Sequence, residues 1–111
     1  MEKLEKDLVK AVVRGFRRII ILWLISQKPM SGYGIVKELE RLTNQKYTSG
    51  VVYPILYELE EKRLIVGKWM RKGRRQIKYY STTKKGTEFL DFTRELFEMP
   101  VKEILKDFIA L

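Results

Sequence analysis

The side chains best suited to chemistry in this sequence are cations concentrated in one short stretch. Residues 62–85 hold ten Lys and Arg and no Asp or Glu, whereas the other 87 residues carry 13 basic and 14 acidic side chains. Three aromatic residues, Trp69, Tyr79 and Tyr80, are interleaved with these cations. A charge run is often only a solvated face, but unbroken positive charge with interleaved rings favours an element that binds a polyanion.

The composition excludes most catalytic chemistry. Among 111 residues there is no His and no Cys, so neither a Cys/His zinc site nor a His-dependent nucleophile nor a disulfide can form. The carboxylates fall mainly on polar helical faces, and we therefore expect no enzyme, no metal site and no cofactor. The longest apolar run, Ile19 to Ile25, is too short to span a membrane, and the N-terminus lacks signal-peptide features. We expect one cytoplasmic domain.

Hydrophobic periodicity predicts the elements that position these cations. The order is helix, helix, helix, β-hairpin, helix, with Ser31 as the N-cap of the second helix. The predicted ranges are about 4–27, 32–42 and 49–63 for the first three helices, 64–71 and 76–82 for the strands, and 83–111 for the last helix, kinked near Pro100. This order predicts a mainly α fold with a small β-hairpin (α+β), a winged helix-turn-helix.

The third predicted helix has two distinct faces. Its apolar stripe consists of Val52, Ile55, Leu56 and Leu59. The opposite face carries Gly50, Tyr53, Pro54 and Tyr57, with Ser49 alongside. Gly50 permits close backbone approach, and the tyrosines offer flat rings and hydroxyl donors. Because glutamates cluster at the C-terminal end, we expect the N-terminal end to face the nucleic acid.

The two outer helices are more apolar than one protomer requires. Beyond Ile19 the first helix is apolar on every side, and the C-terminal segment carries two apolar stripes instead of one. We therefore expect a homodimer formed by the N-terminal and C-terminal helices, with either C-terminal stripe facing the partner. The expected interface residues are Phe16, Ile20, Trp23, Leu90, Phe97, Val101, Ile104 and Phe108.

Several motifs resemble the PadR family of winged-helix transcriptional regulators. The segment 27–35, QKPMSGYGI, is similar to the family's entry into its second helix, and 49–61, SGVVYPILYELEE, is similar to its recognition helix. Gly73-Arg74-Arg75, Lys78-Tyr79-Tyr80 and Thr83-Lys84-Lys85-Gly86 resemble its wing and the exit into its dimerisation helix. The four motifs occur in the family's order. This sequence departs from the family pattern at Ser31, Gly34, Val51 and Thr82.

The resemblance implies a homodimeric regulator in which Ser49, Gly50, Val52 and Tyr53 approach the DNA groove. It divides the chain into a DNA-binding domain, 1–82, and a dimerisation helix, 83–111. Tyr33 would contact phosphate, with Ser31 beside it. Some short relatives bind flat aromatic compounds at the dimer interface, for which Trp23 and Trp69 would be candidates, although the positions of both favour packing.

Together, the residues and the resemblance predict a transcriptional regulator of a palindromic operator in double-stranded DNA, a repressor or an activator, with the repressor favoured. The predicted recognition residues are Thr48, Ser49, Gly50, Val52, Tyr53 and Tyr57. The predicted wing residues are Arg71, Lys72, Gly73, Arg74, Arg75 and Lys78. Two alternatives use the same fold: a non-specific, chromatin-like DNA-binding protein, and an adaptor that docks an acidic protein on the winged-helix surface.

Overall fold

The chain folds into four helices and a three-stranded antiparallel sheet. A computed structural model describes residues 2–44, 46, 49–98, 107 and 110. The helices are α1 (Glu2–Gln27), α2 (Gly32–Thr43), α3 (Ser49–Glu61) and α4 (Lys84–Phe97). The strands are β1 (Met30–Ser31), β2 (Ile65–Lys72) and β3 (Arg75–Thr82). The predicted winged helix-turn-helix of class α+β is confirmed.

The core lies where α1, α2 and α3 meet the base of the sheet. The apolar stripe predicted for α3 is buried there, together with Ile21, Leu22 and Ile25 of α1 and Ile35 and Leu39 of α2. Tyr80 of β3 and Leu90 of α4 complete the cluster. Leu42 is exposed, although it follows the buried Leu39 by three residues on α2.

The hairpin formed by β2 and β3 is the wing. Its ladder pairs Ile65 with Thr82 at the base and Lys72 with Arg75 at the tip, so only two residues form the turn. Gly73 has a φ of +66°, the positive φ that a type II′ turn places at its first central position. The strands reach one residue further toward the tip than the sequence predicted. The sequence analysis also missed β1, whose two residues pair with Tyr79 and Tyr80.

The end of α3 directs the chain into the wing. Leu64 N donates to Leu59 O at 2.9 Å and Arg63 N donates to Glu60 O at 3.0 Å, the pair of hydrogen bonds that defines a Schellman motif. Arg63 takes the left-handed conformation, with a φ of +62°, that this motif places after the helix. Leu59 and Leu64 are both buried and make its apolar contact.

Thr83 joins the start of α4 to the same junction. Its hydroxyl accepts a hydrogen bond from Gly86 N at 3.0 Å, as an N-cap does, and donates one to Arg63 O at 2.6 Å. Thr83 N also donates to Leu64 O at 3.1 Å. The first turn of α4 is therefore bonded to the loop that connects α3 with the wing.

Other expectations fall partly outside the described residues. The kink near Pro100 lies outside them, and the division of the chain at residues 82 and 83 stays a prediction. None of the helices in the described part of the chain is long and apolar enough to cross a membrane.

The junction makes the hydroxyl of Thr83 important for stability. Thr83→Ala removes both the N-cap of α4 and the donor to Arg63 O, and we expect it to lower the free energy of unfolding by about 1–2 kcal/mol. Chemical denaturation measures the change. Thr83→Ser keeps the hydroxyl and should stay near wild type, as should Thr87→Ala, which removes an exposed hydroxyl one turn further on. Equal stability of the Ala and Ser variants at position 83 would contradict the capping role.

Candidate nucleic-acid interface

An open groove separates the wing from the N-terminal parts of α2 and α3. Its volume is about 500 Å³, and rings from all three elements line it. We call this surface the aromatic groove. Its residues are Ser31, Gly32, Tyr33, Tyr53, Tyr57, Trp69, Arg75, Gln76, Ile77, Lys78 and Tyr80.

The groove brings together residues that the sequence analysis predicted from separate motifs. Ser31 and Tyr33 come from the entry of α2, Tyr53 and Tyr57 from α3, and Arg75 from the wing. They are far apart in the sequence. The structure therefore places part of each predicted set, from the entry of α2, from α3 and from the wing, on one surface.

The residues predicted to form the outer face of α3 differ in how far they are exposed. Ser49 and Gly50 are exposed at its N-terminal end, and the Tyr57 side chain is 59% exposed. Tyr53 is half-buried, with its ring packed on the core and 6.3 Å from the ring of Tyr57. Thr48 lies outside the described residues.

Val52 does not belong to the candidate interface. Its side chain is fully buried in the core, at 0% exposure, so the prediction that it approaches DNA is wrong. The physical reason is the helical period. Val52 lies on the same stripe as Ile55 and Leu59, three and seven residues later, and all three turn into the core.

Tyr33 is the most exposed of the large hydrophobic side chains in the described part of the chain, at 68%. It follows the N-cap Ser31, whose hydroxyl accepts a hydrogen bond from Gly34 N at 3.1 Å. The ammonium of Lys37, one turn along α2, lies 5.4 Å from the centre of the Tyr33 ring. A phenol and a cation are thus presented together at the helix end that favours anions.

The wing tip carries a dense group of cations. Arg71, Lys72, Arg74 and Arg75 are all exposed around the turn at Gly73. Arg71 donates to Gly73 O at 3.3 Å, and the salt bridges within the described residues include none of the four. These side chains are free to neutralise phosphates.

Lys78 differs from the other predicted wing cations. Its ammonium lies 3.2 Å from a carboxylate oxygen of Glu60 on α3, and its side chain is only 25% exposed. Glu58 is paired as well. Hydrogen bonds from Arg18 of α1 and from Lys62 lower the pKa of Glu58, so it stays ionised. Two of the glutamates on α3 are therefore matched by cations of this chain.

Five groove residues were not among the predicted DNA-binding residues: Gly32, Trp69, Gln76, Ile77 and Tyr80. Trp69 is 64% exposed, whereas Tyr80 is buried at the groove floor. Burial raises the pKa of Tyr80 to about 12, and the charge of Glu60 acts in the same direction, so the phenol keeps its proton. The alternation of the strands could have placed Trp69 with Lys78 and Tyr80, but only once the register was known.

The predicted dimer residues fall into three groups. Phe16 and Trp23 are 39% and 43% exposed, and Ile20 is half-buried beside them. Leu90 is only 7% exposed, because it packs into the core of its own chain, so it offers a partner far less surface than the prediction assumed. The side chain of Phe97, and all of Val101, Ile104 and Phe108, lie outside the described residues.

A shallow apolar cavity of about 240 Å³ lies between α1 and α4 beside Trp23. Its walls are Ile19, Ile20, Trp23, Leu90, Thr93 and Arg94. Phe89 and Phe92, which are next to Leu90 and Thr93 in the sequence of α4, are 41% and 55% exposed. Apolar exposure on this scale marks an interaction surface more often than a solvated one.

Comparison with known proteins identifies the family. The family model described as "Transcriptional regulator PadR-like family" matches residues 21–91. Transcriptional regulator YqjI of Escherichia coli (strain K12) is 36% identical over 94 residues, which are 83% of this chain and 44% of that protein. The chain therefore spans less than half the length of this relative.

Solved structures agree with the fold. The crystal structure of a PadR-like transcriptional regulator from Bacillus cereus is 26% identical and superposes with a TM-score of 0.79, covering 89% of this chain and 96% of that one. The structure of Bacillus subtilis PadR in complex with operator DNA is 25% identical, with a TM-score of 0.60, over 67% of this chain and 44% of that one. The resemblance stated from the motifs is confirmed: this chain belongs to the PadR-like family of transcriptional regulators, a family of DNA-binding proteins and not of enzymes.

Proposed function

We propose that the chain is a transcriptional repressor that binds a palindromic operator as a homodimer, with α3 in the major groove and the wing on the flanking backbone. The observation that carries this proposal is the aromatic groove, in which α2, α3 and the wing contribute rings and cations to one surface. The relative of known complex, Bacillus subtilis PadR, binds operator DNA with the same fold.

The exposed end of α3 supports its role as the recognition helix. Ser49 and Gly50 leave the first turn narrow, so the helix end can approach base edges closely. Tyr57 presents its ring and hydroxyl one turn beyond Tyr53. Because the free N–H groups of a helix start favour anions, the same end also suits phosphate.

The unpaired cations of the wing tip support a backbone role. They stand on a hairpin with a two-residue turn, which limits how far their backbone can move. Contacts of Lys and Arg with phosphate add affinity without reading sequence. The two elements therefore have different roles. The wing adds affinity for the DNA backbone, and α3 provides the preference for one DNA sequence over another.

Dimerisation is supported by the exposed apolar residues on α1 and α4. Phe16, Trp23 and Phe92 expose apolar surface on these two helices, which are separate from the wing. A two-fold dimer places its two recognition helices about 34–36 Å apart, one turn of B-DNA, which is the geometry a palindromic site requires.

Selection of bound sequences from a random DNA pool tests the proposal directly. We expect an enriched palindrome whose half-sites are about one helical turn apart. Enrichment of no sequence would favour the non-specific alternative. Absence of any DNA binding would favour the acidic protein partner.

Binding to the selected palindrome should weaken steeply as the salt concentration rises. If each subunit neutralises about six phosphates, the logarithm of the association constant should fall against the logarithm of salt with a slope of about −5 for each subunit. Fluorescence anisotropy titrations at several salt concentrations measure it. Equal affinity for the palindrome and for random DNA at every salt concentration would refute sequence preference.

The wing tip should control this slope. Arg74→Gln removes one unpaired cation, and we expect the slope to become shallower by about 1 for each subunit. Arg41→Gln is the matched control, because Arg41 is paired with Glu38 at the far end of α2 from the groove. Its slope should equal that of the wild type. A slope unchanged by Arg74→Gln would place the tip away from the phosphates.

The oligomeric state should depend on Trp23. We expect Trp23→Glu to give a folded monomer, since this side chain is already 43% exposed, and to weaken operator binding by about 100-fold or more. Sedimentation velocity and anisotropy measure the two effects. Val66→Glu adds the same charge at an exposed apolar position on β2 and should leave the dimer intact. A dimer that persists in Trp23→Glu would move the interface elsewhere.

A further inference from the structure

Lys78 is held between a carboxylate and two aromatic rings. Its ammonium donates to Glu60 Oε1 at 3.2 Å and lies 5.3 Å from the ring centre of Tyr80 and 6.0 Å from that of Trp69. Glu60 belongs to α3 and the other three residues to the wing. One side chain thus connects the recognition helix to the middle of the hairpin, three residue pairs before its tip.

The space for this arrangement exists because residue 67 is glycine. A Cβ at Gly67 would overlap Cε of Lys78 and would lie 3.1 Å from Glu60 Oε2. Gly67 pairs with Tyr80 in the ladder and belongs to the same face of the hairpin as Trp69 and Lys78. The Lys78 side chain therefore crosses over Gly67 to reach α3.

This environment separates Lys78 from the tip cations. Both partners of the ion pair are partly shielded, with side chains 25% and 32% exposed, whereas Arg74 is exposed and forms no salt bridge with another described residue. A lysine that turned to a phosphate would leave Glu60 uncompensated beside the bound polyanion, where like charge is unfavourable. Lys78 is thus poorly placed to act as a phosphate ligand.

We propose that Lys78 is a positioning residue, whose ion pair with Glu60 holds the wing against α3 so that the aromatic groove keeps the shape that fits DNA. This inference rests on the proposed function, and it gives Lys78, which was predicted to be a DNA-binding residue of the wing, a different role. A wing held in place before binding loses less conformational freedom when DNA binds, which raises affinity without adding a contact.

The diagnostic variant is Glu60→Gln, because electrostatic repulsion and wing positioning predict opposite changes in its affinity for DNA. Removal of a carboxylate from a DNA-binding surface ordinarily strengthens binding, since it removes repulsion of phosphate. If the ion pair positions the wing, Glu60→Gln should instead weaken operator binding, by roughly three- to tenfold, with the salt slope unchanged.

Two further variants break the same connection by other means. Lys78→Met keeps the stem and removes the charge, and it should weaken binding by a similar factor, again with an unchanged slope. Gly67→Ala keeps both charges but displaces the Lys78 ammonium, so it should also weaken binding at constant net charge. Anisotropy titrations over a salt series, on the selected palindrome, measure affinity and slope together.

A double-mutant cycle measures the interaction between Glu60 and Lys78 in the absence of DNA. In chemical denaturation, Glu60→Gln combined with Lys78→Met should destabilise no more than the worse single variant, because both remove one interaction. The matched control combines Glu60→Gln with Lys68→Met, which removes the same charge from the opposite face of the hairpin and should act additively.

The outcomes distinguish this inference from the proposed function. Unchanged or stronger binding by Glu60→Gln would overturn the positioning role. A slope shallower by about 1 in Lys78→Met would overturn it as well and would make Lys78 a phosphate contact. Additive effects of the Glu60 and Lys78 variants in denaturation would overturn it as well. If the wild type bound no DNA at all, the proposed function would fail. Non-additive effects of the Glu60 and Lys78 variants in denaturation would then show that the ion pair stabilises the fold and has no role in DNA binding.

Discussion

The junction at Arg63 and Leu64 is the constraint on which the rest of the structure depends. At this point the chain leaves α3 through a Schellman motif, enters β2, and is met by Thr83 from the end of β3. Three elements are bonded to two consecutive residues, and the side chain of Leu64 is buried beneath them. The recognition helix, the wing and α4 consequently share one anchor, so the position of one determines the positions of the others.

The distribution of charge follows from this arrangement. The excess of positive charge in the sequence divides into cations that pair within the chain and cations that remain free. Near the junction and along α3, Lys62 and Lys78 pair with glutamates, and at the tip the arginines have no carboxylate partner among the described residues. Internal pairing thus offsets the charge of two glutamates at the end of α3, whereas the cations of the tip form no salt bridge with another described residue.

Most of the fold was readable from local patterns. Periodicity placed α2 and α3 to within two residues at each boundary, and Gly73 marked the turn of the wing, because these features depend on near neighbours in the chain. The two-residue strand β1 was missed, since no period can appear in two residues. Among site residues, Val52 was wrongly assigned, and Leu90 lies mainly in the core of its own chain. A motif shows which residues occur near a functional surface but not which side of the helix or strand each one occupies.

The sequence by itself determined the first three helices, the hairpin, the acid-free basic stretch and the absence of His and Cys chemistry, because each of these is a property of composition or of local spacing. Only the tertiary structure decided which residues share the aromatic groove, that Trp69 and Tyr80 belong to it, and that Lys78 is paired with Glu60 while Arg74 is free. The physical reason is separation along the chain. Glu60 and Lys78 are 18 residues apart, and their contact exists only after the Schellman turn and the register of the hairpin have folded the wing back beside α3.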